Sequence, residues 1–326
     1  MTTSLERVQH AKGGVSRRAS LSGRPAQGAK GRRDLAFFFA LLSPTLIIVA
    51  AAVLLPLGML FAISIRDVGL APLAKIFDAA LTLDNYAEVL GDGSTWRSFG
   101  VSMIYVGGTT AIALGMGLGL ALILNGHLPV RRLFRTLLLV PWAIPGVTAT
   151  IAFLWILNPS FGVANYVLRS LGLIDVDVNW FGSPDTAMLA VILPTAWKAY
   201  PFYTVMILAG MQAVPRELYE AAEVDGASSL AQFRSVTWPA IRPYVAIAAV
   251  FNMMYAFREF DFIFASTRGG PGGATETVAI RIYNEAFEAF QFGNAAALGI
   301  VVFVLLALVV LLLMRSKTLT EGASSE

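Results

Sequence analysis

Six apolar stretches constrain this chain more than anything else in it. They cover roughly 35–64, 99–124, 133–157, 187–212, 244–266 and 294–314. A helix needs about 20 apolar residues to cross the hydrocarbon core of a bilayer. Backbone polar groups inside that core must be satisfied within the segment, which favours helices. The pattern therefore predicts an all-α integral membrane protein with six transmembrane helices. Composition agrees, since 14% of the 326 residues are charged, against about 25% in soluble domains. The first stretch is too long for a signal-peptide h-region and lacks a small-residue cleavage site, so it is expected to be a span.

Lys and Arg predict the orientation. The tail at 1–34 holds Arg7, Lys12, Arg17, Arg18, Arg24, Lys30, Arg32 and Arg33. The second–third connector holds Arg131, Arg132 and Arg135, and the fourth–fifth holds Arg216, Arg234 and Arg242. Arg315 and Lys317 follow the last stretch. The other connectors are poorer in basic residues. Both termini and the 215–243 connector are thus expected in the cytoplasm. The domain plan is a basic tail over 1–34, a six-span domain over 35–314 and a short tail over 315–326. The first tail lacks periodicity, and its charge suits topology or anionic lipid.

Several function classes find no support. The basic residues sit at membrane flanks and form no nucleic-acid stripe. With no cysteine and only His10 and His127, thiolate or imidazole metal sites are not expected. No nucleophile or acid–base constellation marks an enzyme. No G-x-x-x-x-G-K-[ST] occurs, so the chain is not expected to bind ATP itself.

The 215–243 connector, PRELYEAAEVDGASSLAQFRSVTWPAIRP, is polar yet patterned. Pro215 suits a first helical position, and Glu217, Glu220 and Glu223 favour the positive end of the helix dipole. Leu218, Ala221, Ala222 and Val224 form a small apolar face. Asp225-Gly226 is expected to stop this helix, because Gly tolerates a left-handed cap. Ser228 or Ser229 then caps a second helix with Leu230, Phe233 and Val236 on one face. That is the pattern of a docking element for a partner outside the membrane. In the spans, Gly115 and Gly119 form a small-xxx-small pair suited to close helix approach. Pro141 and Pro145 should distort the third span, and Pro194 and Pro201 the fourth.

Glu220-Ala221-Ala222, Asp225-Gly226-Ala227, Phe233 and Pro239 resemble the EAA loop of ABC importer permeases. Trp238 departs from the usual Leu. The resemblance runs from about Phe37 to Leu313. It includes Leu83-Asp84-Asn85-Tyr86, Pro141-Trp142-Ala143-Ile144-Pro145, Trp197 with Tyr200-Pro201, Gly269-Gly270-Pro271 with Thr275, Tyr283 and Ala286-Phe287. These match the sugar-uptake branch, the maltose-type and glycerol-phosphate-type permeases. The resemblance implies a multi-pass permease of the bacterial inner membrane. Its partners would be a second related permease, two cytoplasmic ATPase subunits holding ATP and Mg, and an extracytoplasmic solute-binding protein. Glu220, Ala221, Ala222, Asp225 and Gly226 would form the coupling helix that docks on the ATPase.

Charges inside spans are costly and usually functional. Lys198, Glu259 and Asp261 fall in the fourth and fifth stretches. Helical rise puts Lys198 and Glu259 at similar depths, about 22 and 24 Å from the cytoplasmic ends of their spans. They are expected either to pair structurally or to face substrate. By resemblance to maltose-type members, the substrate-binding positions are Lys198, Ala199, Phe202, Asn252, Tyr255, Ala256 and Glu259. Lys198 stands where that pattern has a neutral residue, which raises the prospect of an anionic sugar or polyol. An ion-gradient carrier using Lys198, Glu259 and Asp261 as a relay is the rival reading.

Overall fold

The computed structural model describes residues 27–68, 73–126 and 131–315, so the greater part of both predicted tails lies outside the described residues. These residues form two units, one ending at Leu57 and one beginning at Gly58. The described residues are 78% helix and contain no strand beyond an isolated bridge between Arg66 and Leu81.

Helix α1, Gln27–Ser64, carries the first stretch and spans the unit boundary. The second unit continues with α2, Asp84–Gly91, and α3, Gly93–Asn125. Next come α4, Arg131–Leu138, α5, Val140–Ala143, and α6, Gly146–Ile156. Helix α7, Val163–Ser170, precedes the long α8, Pro184–Gln212. The 215–243 connector supplies α9, Arg216–Val224, and α10, Ser229–Gln232. A π turn, Phe233–Thr237, leads into α11, Trp238–Phe257. The last elements are α12, Asp261–Ser266, α13, Val278–Tyr283, and α14, Phe292–Arg315.

Among the described residues, four helical stretches are long and apolar enough to cross a membrane: Leu41–Ser64, Gly93–Asn125, Ser229–Phe257 and Phe292–Leu312. Helix α8 has 29 residues but falls short in mean hydropathy, because Lys198 and two prolines interrupt its apolar run. The third stretch is not the continuous helix expected. It divides at Leu139 and again at Ile144-Pro145, where proline removes a helix N–H and crowds the preceding turn. The fifth stretch also stops early, at Phe257, and resumes at Asp261.

Helices α3 and α8 run in the same direction and pack closely. Gly108 faces Ile192, and Gly117 faces Tyr203 and Thr204. A β-carbon on Gly117 would lie 2.5 Å from Tyr203 Cβ and 3.1 Å from the Thr204 backbone N. Glycine is therefore required there by close approach. The Gly115–Gly119 pair expected to serve this purpose has open space beside both residues. The period was read correctly, but the contact lies on another stripe of the helix. The Tyr105 and Thr195 hydroxyls complete the α3–α8 contact with a 2.7 Å hydrogen bond. Helix α11 runs antiparallel to both, with Tyr244 against Gly210 and Asn252 Nδ2 donating to Thr110 Oγ1 at 2.7 Å. Two apolar clusters fill the interior. One includes Tyr105, Ile192, Phe257 and Leu298, and the other Tyr203, Ile207, Ile241 and Val245.

At the end of the unit opposite the 215–243 connector, Arg281 of α13 bonds Asp92 and Glu285, at 3.0 Å for the latter. Glu276 lies 3.8 Å from the same guanidinium. Asp92 also caps α3, accepting from Ser94 N at 2.9 Å. The Ser94 hydroxyl and N–H, with Arg281 beyond them, hold the Asp92 carboxyl below the usual carboxylate range. A depressed carboxylate stabilises the fold above its unfolded pKa and is lost as pH falls through its folded one. Burial instead pushes Glu285 up against the pull of Arg281, so its contribution has the opposite sign and fades as pH rises. Melting curves of wild type are expected to show an extra acid loss beginning near pH 3.8, the ordinary Asp value. That loss should be missing from Asp92→Asn. Identical acid profiles would refute the assignment.

Candidate substrate cavity and partner-docking connector

A cavity of about 290 Å³ lies between α5, α8 and α11, lined by Trp142, Lys198, Ala199, Phe202, Phe251, Asn252 and Tyr255. The prolines around Ile144 position Trp142, because the short α5 turn is separated from α6. Pro201 sits inside α8 beside Phe202. Phe202 and Phe251 meet edge to face, with centroids 6.1 Å apart. The Asn252 amide nitrogen is engaged by Thr110, which leaves its carbonyl oxygen to accept a hydroxyl. Aromatic faces with a few fixed polar groups are the usual make-up of a small-molecule site.

Five of the seven positions named from sequence line this cavity: Lys198, Ala199, Phe202, Asn252 and Tyr255. Ala256 and Glu259 do not. Ala256 is buried in the core that α11 shares with α3. Glu259 is 7% exposed, with its carboxylate 3.4 Å from Phe262 N. It thus serves the start of α12, where the break after Phe257 leaves backbone N–H groups without helical partners. Of the expected stripe at 252, 255, 256 and 259, the cavity lining includes 252 and 255. The cavity also takes the neighbouring edge, which includes Phe251. Trp142 and Phe251 were missed as lining residues, although Trp142 lies in a motif already noted.

The proposed Lys198–Glu259 pair does not form, because no carboxylate lies within 4.0 Å of Lys198 among the described residues. Lys198 Nζ instead donates to Ile144 O at 2.7 Å. Asp261 comes near the other side of the same break. A β-carbon on Gly146 would lie 3.3 Å from Asp261 Oδ2 and 3.9 Å from Lys198 Nζ. The cation thus meets a free carbonyl where α5 ends, and the carboxylate borders the positive end of α6. Both placements suit helix dipoles.

The connector folds much as its residues suggest. Helix α9 ends in a Schellman arrangement: Gly226 N bonds Glu223 O at 3.0 Å and Ala227 N bonds Ala222 O at 2.9 Å. Gly226 has φ +74°, the left-handed value that glycine adopts without a Cβ penalty. Asp225 occupies the cap position. Pro215 flanks the helix rather than opening it, with extended ψ of 138°. Ser228, rather than Ser229, caps α10 by accepting from Ala231 N at 3.4 Å. The Tyr219 and Thr237 hydroxyls meet at 3.0 Å and fasten α9 to the π turn. Glu220 is exposed and 3.8 Å from Arg216. Ala221 is exposed and Ala222 half-buried, while Leu218 and Val224 are solvent-facing at 51% and 88%. The small apolar face is therefore largely uncovered within the chain, apart from Ala222.

Residues 111–316 match the family described as the binding-protein-dependent transport system inner membrane component. The trehalose/maltose transport system permease protein of Thermococcus litoralis is 36% identical over 84% of this chain and 90% of its own. The sulfoquinovosyl glycerol transport system permease protein of Agrobacterium fabrum is 35% identical over 81% and 85%. The sn-glycerol-3-phosphate transport system permease protein of the same organism is 33% identical over 68% and 75%. A solved bacterial ABC transporter involved in the import of the acidic polysaccharide alginate shares the fold. Its TM-score is 0.72 at 23% identity, covering 88% of this chain and 96% of that one. With the matched segment running from the middle of α3 to the end of α14 and including the 215–243 connector, the chain belongs to the family of binding-protein-dependent transport system inner membrane components.

Proposed function

We propose that this chain is the transmembrane permease subunit of an ATP-driven ABC importer for a sugar, sugar derivative or polyol. The observation that carries this reading is the placement of the cavity on α8 and α11, the two helices that the 215–243 connector joins. An event at the connector then reaches both walls of the site. Relatives named for trehalose/maltose, sulfoquinovosyl glycerol and sn-glycerol-3-phosphate transport support the substrate class.

In this reading the chain crosses the bacterial inner membrane six times, with both termini and the connector in the cytoplasm. The broken α4–α6 segment and α8 serve as the third and fourth spans. Glu220, Ala221, Ala222, Asp225 and Gly226 dock on an ATPase subunit. A second related permease completes the pathway, and an extracytoplasmic binding protein delivers substrate. ATP and Mg stay on the two ATPase subunits. ATP binding biases a two-state membrane element between inward- and outward-facing forms. An ion-gradient carrier has less support, because Lys198 and Glu259 make no ion pair with each other and each meets a backbone group.

Right-side-out vesicles loaded with ATP test the proposal. Labelled sugar is expected to accumulate only with added binding protein and internal ATP, and vanadate should stop it. Uptake that continues without ATP and collapses with the proton gradient would sink the proposal.

A further inference from the structure

We propose that the cavity selects a substrate carrying an oxyanion, such as a carboxylated or sulfonated sugar, and that Lys198 is the selecting residue; this rests on the importer reading above. Lys198 is the one charged residue among the seven that line the cavity. Its ammonium has three donors. One goes to Ile144 O, which supplies a dipole but no counter-charge. The nearest acidic groups, Asp261 across Gly146 and Glu259 at the start of α12, make no ion pair with it and line no part of the cavity. A cation at membrane depth is costly until a full negative charge meets it. The cavity side of Lys198 lacks that charge, and a substrate oxyanion would supply it.

The remaining lining suits the rest of such a molecule. Trp142, Phe202, Phe251 and Tyr255 offer faces for ring C–H groups, and the Asn252 carbonyl offers an acceptor for a hydroxyl. A neutral sugar would use these same groups but would take from the ammonium only a hydrogen bond to a hydroxyl, without the charge pairing that an oxyanion adds. The contrary idea is that Lys198 only braces the α5–α6 break. The two differ in a measurable way, since a brace supports every substrate equally.

Glucuronate and glucose form a suitable pair of probes, differing by a carboxylate in place of a hydroxymethyl. Equilibrium binding is measured on the assembled importer in lipid nanodiscs. Wild type is expected to prefer glucuronate by about tenfold or more, the scale of a hydrogen bond to a charged group. Lys198→Gln should bring the two affinities together by weakening glucuronate alone. Lys198→Arg keeps the charge and should keep a preference, which gives a second reading if the Gln variant does not assemble. No preference in wild type, including no binding of either probe, overturns the proposal. So does an equal loss for both sugars in Lys198→Gln, or a preference that survives it. ATP- and binding-protein-dependent uptake by the wild-type preparation is scored separately, so failure of the importer reading is distinguishable from failure of charge selection.

Discussion

Deleting Glu220–Gly226 is expected to reduce ATP-driven uptake to background and to release the ATPase from the purified complex. The segment contributes little to the fold of this chain. Its only ion pair, Glu220 with Arg216, is exposed and 3.8 Å long, and such pairs are worth about 0–1 kcal/mol. Its apolar side chains, Leu218 nearby included, are mostly exposed, with Ala222 half-buried. The chain should therefore still insert and still pack α3 against α8. Glu220→Ala separates the roles further, since it leaves the Schellman cap at Gly226 intact. Co-purification of the ATPase in wild-type amounts with the deletion variant would refute docking at this segment.

The second large effect is on stability. Gly117→Ala is expected to destabilise the protein by about 2 kcal/mol, the middle of the usual cost of overpacking. Helix propensity alone would predict a gain of about 1 kcal/mol for Gly→Ala. Sterics win because the new carbon meets Tyr203 Cβ and the Thr204 backbone, and neither can rotate away. Gly119→Ala, with open space beside it, should be neutral or slightly stabilising. Thermal unfolding of both variants in nanodiscs compares them directly. Equal shifts would show that α3 and α8 do not meet at Gly117.

Local chemistry was the most legible part of this sequence. The left-handed Gly226, the Ser228 cap and the two connector helices follow from rules acting over a few residues. Five of the positions named by resemblance also line the cavity, because the resemblance supplied their helices and their period. What failed depended on rotation about a helix axis or on distant partners. The small-residue pair at Gly115 and Gly119 has the right spacing but the wrong azimuth. Ala256 and Glu259 lie one edge away from the residues that line the cavity. Arg281 and Asp92 lie 189 positions apart, and no periodicity connects them. The double break in the third stretch was half visible, since Pro141 and Pro145 were seen as distortions but counted within one span. The hydrogen bond from Lys198 to Ile144 follows from that break and was hidden with it.

The helical run from Ser229 to Phe257 is unbroken through its π turn. The turn is marked by Trp238 N bonding Phe233 O, five residues back, immediately before Pro239, which has no N–H to offer. A single rod therefore begins in the connector and ends beside the cavity. Phe233 and Asn252 are about 28 Å apart along it. Pivoting the rod by about 10° at its connector end would sweep Asn252 sideways by about 5 Å, nearly one helical pitch. A small rocking motion at the connector is geometrically sufficient to open or empty the site, and no residue between need unfold.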